Sequence, residues 1–140
     1  MSDKITPDYQ TIAKHILEDA AKLPIADAPV LPTDATKRKE IPLCTGVLDY
    51  FPAALCEVAK VSRLGNIQHN GPDAPLHHAR GKSTDQEDTI IRHLMERGKI
   101  DTDGMRHSAK AAWRCLALLQ IELEAEGAPL ARGAKLPEGK

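Results

Sequence analysis

Residues 81–114, GKSTDQEDTIIRHLMERGKIDTDGMRHSAKAAWR, carry acids, bases and histidines at a density that a solvated surface does not require. Near the end of this stretch Asp103, His107, Lys110 and Arg114 recur at i, i+4, i+7 and i+11, which places them on one face of a helix. Farther along that face the residues turn apolar, so the second half of the helix is expected to be buried all round and the polar half to line a pocket. The alternative is a salt-bridged outer face covered by an oligomer contact. The opposite, apolar stripe of the helix consists of Ala109, Ala112, Trp113, Leu116 and Leu119.

The preceding segment repeats the pattern, because Asp85, Asp88, Arg92 and Glu96 follow one another at i, i+3, i+7 and i+11. Two carboxylates one helical turn apart can share a divalent cation. Oxygen-rich sites of this kind suit Mg2+ or Mn2+, which take their remaining ligands from water and from the phosphates of a substrate. The alternative is an ordinary helix start whose acids complement the helix dipole.

Glu57 is a third carboxylate in an apolar setting. Its neighbours on the helical face, Ala53, Val61 and Leu64, are all apolar. A lone carboxylate among such residues is costly to bury unless it is paired or bound to a metal. An inward-facing metal ligand is one interpretation, and a surface position is the other.

A loop between two predicted helices supplies a local positive and titratable patch in a chain whose formal net charge is only -1. Such a patch is what a polyphosphate requires. A zinc site is the weaker interpretation, because the histidine pair lies 15 residues before His93 and no cysteine is near. No P-loop, dinucleotide-binding or serine-hydrolase motif is present. The patch consists of His69, His77, His78, Arg80 and Lys82.

The spacing of apolar residues and the positions of proline and glycine predict the helices and loops that position these residues. Pro52 and Gly65 bracket a helix over 52–64, and residues 66–82 read as a long loop. Ser83 or Thr84 is expected to cap a helix over 85–97, with Glu87 at capping-box spacing from Thr84. The remaining predictions are a short helix over 7–22, a proline-rich linker and a last helix over 103–125.

These elements predict an all-α fold, a small bundle of three to four helices with an N-terminal arm. The arm covers residues 1–36, the domain 37–127 and a flexible tail 128–140. Three to four helices in 140 residues give a thin core, so a homodimer or homotetramer is expected. The three dispersed cysteines indicate a reducing compartment, and no run is apolar enough for a membrane span. A cytoplasmic protein that binds neither membranes nor, directly, nucleic acids is therefore expected.

Three segments within residues 41–127, FPAALCEVAKVSRLGNIQHN, RGKSTDQEDTIIRHL and DTDGMRHSAKAAWRCLALLQIELE, resemble the phage-encoded dATP/dGTP diphosphohydrolase family. That family resembles the all-α MazG-type nucleoside triphosphate pyrophosphatases, which use Mg2+ or Mn2+. The resemblance implies hydrolysis of a purine deoxynucleoside triphosphate to the monophosphate and pyrophosphate, in the host cytoplasm if the chain is phage-encoded. The positions that match the family are Glu57, Asn66, His69, Lys82, Asp85, Asp88, Arg92, His93, Asp101, Asp103, His107 and Trp113.

The chain departs from the MazG pattern, because it has neither the EExxE helix nor the ExxD helix in full. The metal site is therefore expected to be assembled differently, from Glu57, Asp85, Asp88 and Asp103. His93, His107 and Asp88 are the expected catalytic residues, with an imidazole moving the proton. The expected substrate-binding residues are Asn66, His69, Lys82, Arg92, Lys110 and Arg114.

Two other classes of protein remain open at this point. One is a protein that binds or sequesters a nucleotide in the same pocket without catalysis, and the other is a helical module whose charged faces meet a protein partner. The role of Trp113 is open in the same way, because its ring can stack on a purine or pack in the core.

Overall fold

The computed structural model of the chain describes residues 29–139, and within them the fold is mostly helical, as predicted. The predicted helix over 7–22 and most of the arm lie outside these residues. The strands are two residues long each and pair in parallel, His78 with Ala134 and Ala79 with Lys135. In chain order the elements are α1 (Ala35–Lys39), a π-helical turn (Cys44–Leu48), α2 (Pro52–Asn70), β1 (His78–Ala79), α3 (Gln86–Met95), α4 (His107–Ala125) and β2 (Ala134–Lys135).

Helix α2 begins at Pro52 as predicted but does not end at Gly65. A glycine inside a helix costs about 1 kcal/mol, and tertiary contacts readily offset that amount. The buried Asn66 provides one such contact, since its Nδ2 donates to the backbone oxygen of Ala74 at 2.8 Å. The helix ends at Gly71, whose φ of 90° suits glycine. The helix therefore continues to Asn70, and the polar residues of its last turns lie next to the loop that follows.

Helix α3 starts at Gln86, and its N-cap is Asp85 rather than Ser83 or Thr84. No side chain caps the first turn, so the predicted capping box is absent. The Asp85 carboxylate instead accepts from Thr89 and Arg92 on the same helix.

Helix α4 begins at His107, four residues later than predicted. The segment before it is a tight turn in which the Gly104 amide donates to the Asp101 oxygen at 2.9 Å and the Asp101 amide to the Met105 oxygen at 2.8 Å. Gly104 has a φ of 82°, which no helix accommodates. Asp103 therefore lies in a turn, so its predicted helical spacing from His107 is wrong.

Helix α4 packs on α2 and α3, and its buried residues are the alanines Ala109, Ala111 and Ala117. Ala111 and Ala117 are buried, whereas Leu116 and Leu119 of the apolar stripe are 53% and 51% exposed. The expectation that the second half of α4 is buried all round is thus wrong for the single chain. The polar face can be buried because partners on other elements satisfy its charges and hydrogen bonds.

The segment after α4 is tied to the pocket side of the fold, in contrast to the flexible tail that was predicted. The His78 amide donates to the Gly133 oxygen at 2.7 Å, and the Arg80 amide to the Lys135 oxygen at 2.8 Å. Beneath this ladder the Arg80 guanidinium binds the Glu124 carboxylate through two hydrogen bonds of 2.8 and 2.9 Å. β2 therefore holds the loop that carries β1 against the end of α4.

Within residues 29–139 no single helix is long and apolar enough to cross a membrane. The segments Ala35–Leu48 and Pro52–Asn70 reach that length and composition only when they are joined, and they are bent by 87° at the break.

Candidate functional site

A pocket of about 430 Å³ lies between α2, α4 and the loop around β1. This volume is within the usual range for small-molecule sites. Lys82, Lys110 and Arg114 line the pocket, together with four histidines. Asp103 is the one carboxylate among its lining residues. The set of side chains that line the pocket therefore favours an anionic ligand.

Lys110 is held by two carboxylates from the turn before α4. Its Nζ donates to Asp101 Oδ2 and to Asp103 Oδ2, both at 2.6 Å. Burial alone lowers the pKa of Lys110, but the two hydrogen bonds outweigh it and raise that pKa. Lys110 in turn lowers the pKa of Asp103 and, with the Thr102 amide, brings the pKa of Asp101 to about 2. The cluster is thus fully ionised at neutral pH.

Arg114 is oriented by neutral partners. Its Nη1 donates to Ser83 Oγ at 3.0 Å and to Gln86 Oε1 at 3.1 Å. Its guanidinium carbon lies 5.6 Å from the centre of the Trp113 ring. Neutral acceptors leave the charge of Arg114 available to a ligand, whereas the charge of Lys110 is already offset.

Trp113 lies half-buried at the pocket wall. Its Nε1 donates to Ser62 Oγ on α2 at 2.6 Å, which fixes the plane of the ring. The His78 ring meets it edge-on, with 4.9 Å between centroids. Burial, and then the charges of Arg80 and Arg114, lower the pKa of His78, so this imidazole is neutral at pH 7.

A pair of imidazoles joins α3 to the first turn of α4. His93 Nδ1 and His107 Nδ1 are 3.0 Å apart, and His107 Nε2 is 3.9 Å from Asp101 Oδ1. Burial lowers the pKa of His93, as do the nearby charges of Lys110 and His107. His93 lines the pocket and is neutral at pH 7, so it can accept a proton or donate a lone pair.

The structure brings most of the predicted substrate-binding residues to one place. His69, Lys82, Lys110 and Arg114 line the pocket. Asn66 also lines it, but its amide is engaged, since it donates to Ala74 and accepts from Asn70 at 2.9 Å. Asn66 therefore acts on the shape of the pocket by fixing the turn after α2.

The predicted carboxylate metal site is not assembled in the described chain. Glu57 binds Lys60 one turn away at 2.6 Å, and Asp85 binds Arg92 at 2.8 Å. Asp88 is exposed, and neither it nor Arg92 lines the pocket. Of the four predicted ligands only Asp103 lines the pocket. These residues do not fit a shared Mg2+ or Mn2+ ion, because Glu57, Asp85 and Asp103 are each paired with a basic residue and their carboxylates do not converge with that of Asp88.

A different set of ligand atoms does converge. Among residues 29–139, the group of His, Cys, Asp and Glu side chains close enough to hold a metal consists of His93, Asp101 and His107. Helical periodicity does not single out Asp101, because it lies in a turn, and only the family resemblance includes it. Ser62, Ser83 and Gln86, which orient Trp113 and Arg114, carry no sequence signal of a site.

Comparisons of the chain with protein-family models, with curated proteins and with solved structures find no match. What the pocket does is therefore inferred from its own chemistry.

Proposed function

We propose that the pocket binds a purine deoxynucleoside triphosphate and hydrolyses it to the monophosphate and pyrophosphate. The observation that carries this proposal is that Lys82, Lys110 and Arg114 line one pocket together with His93, which contacts His107. The pocket thus offers cations for the phosphates and a neutral imidazole next to them.

Arg114 and Lys82 are the main phosphate ligands in this proposal. The planar guanidinium of Arg114 is already oriented by Ser83 and Gln86, so little rotamer entropy is lost when a phosphate binds. Lys82 is exposed at the rim and comes from the loop that β2 holds in place. Lys110 contributes less, because Asp101 and Asp103 offset its charge.

The half-buried Trp113 ring is the proposed contact for the purine. It lines the pocket beside Arg114, so a base that lies on it leaves the phosphates near the cations. The hydrogen bond to Ser62 holds the ring in place for such a contact.

In the chemical step a water oxygen forms a bond to the α-phosphorus while the bond from that phosphorus to the α–β bridging oxygen breaks. The neutral His93 takes the proton of the water, and pyrophosphate leaves with the bridging oxygen and its electron pair. Arg114 and Lys82 stabilise the negative charge that develops on the leaving group. Mg2+ or Mn2+ remains the proposed cofactor on the strength of the family resemblance alone, and it would enter with the triphosphate.

The experiment is a hydrolysis assay of the full chain with each deoxynucleoside triphosphate in the presence of Mn2+, with pyrophosphate release as the readout. Pyrophosphate should form from dGTP or dATP and not from dCTP or dTTP. Absence of pyrophosphate from every triphosphate would rule out hydrolysis, and absence of binding as well would rule out a nucleotide pocket.

Arg114→Gln should weaken dGTP binding by roughly 10- to 100-fold, the value of one or two charge-assisted hydrogen bonds. Calorimetric titration measures the loss, and circular dichroism checks that the variant folds. Arg132→Gln is the matched control, because Arg132 is an exposed arginine that does not line the pocket. Equal affinity in the Arg114 and Arg132 variants would contradict the assignment. Lys82→Ala repeats the test at a residue on the rim.

A binding protein without catalysis is the second candidate, and one observation favours it. Glu57, Asp85 and Asp88 do not converge with Asp103, so a carboxylate site like that of the MazG-type pyrophosphatases is not assembled within residues 29–139. Tight, stoichiometric binding of dGTP without turnover in Mg2+ or Mn2+ would select this candidate over the enzyme.

We also propose that the chain self-associates through the apolar faces of α3 and α4. Leu116, Leu119 and Leu123 on α4 are exposed, and Ile91 and Met95 on α3 are 57% and 73% exposed. Exposed apolar side chains of this number on two helices are costly to leave in water.

The double variant Leu116→Glu/Leu119→Glu should convert a dimer or tetramer into a monomer, because it places charges in the apolar contact. Sedimentation velocity at micromolar concentration measures the change. Leu76→Glu is the control, since Leu76 is 63% exposed in the loop before β1. A wild-type chain that sediments as a monomer would refute the association.

A further inference from the structure

The turn before α4 brings three potential metal ligands together at the edge of the pocket. One ligand atom from each of His93, Asp101 and His107 can be chosen so that all three lie within 4.8 Å of one another. The three side chains are only partly exposed. They come from α3, from the turn and from the first turn of α4, so the group exists only in the folded chain.

Hydrogen bonding accounts for part of this geometry but not all of it. The two Nδ1 atoms, 3.0 Å apart, are at hydrogen-bonding distance. The 3.9 Å between His107 Nε2 and Asp101 Oδ1 is too long for a hydrogen bond. Ligand atoms about 2.0–2.1 Å from a tetrahedral ion are separated by about 3.3 Å. The 3.0 Å separation uses His107 Nδ1 and the 3.9 Å separation uses His107 Nε2, so only one of them belongs to a given set of three ligand atoms. Because such a set lies within 4.8 Å, side-chain rotations can bring its atoms to one ion.

Neighbouring groups orient the carboxylate as they do in metal sites. Asp101 Oδ1 accepts from the Thr102 amide at 2.7 Å, and Oδ2 accepts from Lys110 Nζ at 2.6 Å. The turn itself is closed by backbone hydrogen bonds of Asp101 to Met105 and Gly104. Such partners around a ligand fix its direction and strengthen the site.

We propose that His93, Asp101 and His107 form a binding site for one divalent transition-metal ion of the zinc class. Two imidazoles and one carboxylate are the donors such ions prefer, whereas Mg2+ prefers oxygen. Three protein ligands leave a coordination position open for water or for a ligand oxygen. Because His93 also lines the pocket, the ion lies at its edge. The site replaces the carboxylate site expected from the sequence, and it does not depend on nucleotide hydrolysis. A His93 imidazole that is bound to the ion has no lone pair left to accept a proton, so ion binding and the proposed role of His93 as a base exclude each other.

The test uses the full chain after treatment with a chelator. Titration with Co2+ should give visible absorption that saturates at one ion per chain, and calorimetry with Zn2+ should give the same stoichiometry. His107→Gln and Asp101→Asn should each weaken binding by at least about tenfold. His77→Gln is the matched control, because His77 lines the pocket outside the three-residue group. Excess Mg2+ should not displace the cobalt.

Wild-type chain that takes up no stoichiometric Co2+ or Zn2+ overturns the proposal, and so does equal binding by the His107 and His77 variants. The wild-type measurement decides the matter even if a variant does not fold. Binding of dGTP measured with Mg2+ as the only metal ion present reports on the phosphate pocket separately, because Mg2+ prefers oxygen ligands to the imidazoles of this site. A failed metal site is therefore distinguishable from a failed nucleotide site.

Discussion

Replacing Glu124 with glutamine should lower the free energy of unfolding by about 3 kcal/mol, because the change leaves a buried guanidinium without its counter-charge. The side chains of Arg80 and Glu124 are only 9% and 12% exposed. Glu124 also accepts from Gln120 at 2.9 Å and from the Ala131 amide at 3.0 Å, so the carboxylate joins three segments. Urea denaturation followed by circular dichroism measures the effect.

Glu122→Gln is the control for this variant, since Glu122 is exposed on the same helix. It should change the free energy of unfolding by less than about 0.5 kcal/mol. If both glutamine variants unfold at the same urea concentration, the Arg80–Glu124 pair does not stabilise the fold.

The same ion pair predicts how stability depends on pH. The Arg80 guanidinium lowers the pKa of Glu124 from 4.5 to about 2 in the folded chain. The stabilisation is therefore complete above pH 4.5 and is lost as the pH falls from 4.5 toward 2. Over this interval the wild-type chain should lose more stability than Glu124→Gln, which has no proton to gain at this position. Parallel loss in the two proteins would contradict the assignment.

Lys110→Met should lower the melting temperature by roughly 10 °C at pH 7. The change removes the one cation that separates Asp101 from Asp103 and leaves two carboxylates facing each other across the turn. Differential scanning calorimetry measures the loss. The double variant Lys110→Met/Asp103→Asn should recover part of it, because one of the repelling charges is gone.

The sign of the pH effect distinguishes this repulsion from simple loss of packing. In the wild type the pKa of Asp101 is held near 2, so acid weakens the cluster. In Lys110→Met mutual repulsion raises the carboxylate pKa values above those of the wild type, so the variant should regain part of the lost stability between pH 7 and about pH 4, close to the ordinary aspartate pKa of 3.8. A variant that is equally destabilised at both pH values would show that methionine merely packs poorly.

Sequence periodicity places Lys110 and Arg114 on one face of α4, but it wrongly includes Asp103 on that face and does not identify the partners of the face. Lys110 and Arg114 lie together at the pocket as their spacing requires. Their partners Asp101, Ser83 and Gln86 come from other segments, and no local pattern indicates such pairings. The polar face of α4 is therefore turned inward and the leucine stripe outward.

The positions of proline and glycine in the sequence predict helix ends correctly only where tertiary contacts favour the same end. Pro52 begins α2 as expected, but Gly65 does not end it, because Asn66 anchors a further turn of helix. The positive φ of Gly104 prevents α4 from beginning earlier in the chain. The carboxylates of Glu57 and Asp85 show the same limit, since each is paired within its own local segment and neither reaches a shared site.

The two-residue ladder between β1 and β2 has a dynamic consequence. A ribbon this short does not persist in water without support, and here the support is the ion pair beneath it. The backbone amides of His78 and Arg80 should therefore exchange with solvent deuterium together, through one local unfolding event that leaves the α3–α4 contact intact. We expect such local unfolding to open the segment that carries Lys82, so the Arg80–Glu124 ion pair, which lies outside the pocket, should limit the rate of ligand entry and release.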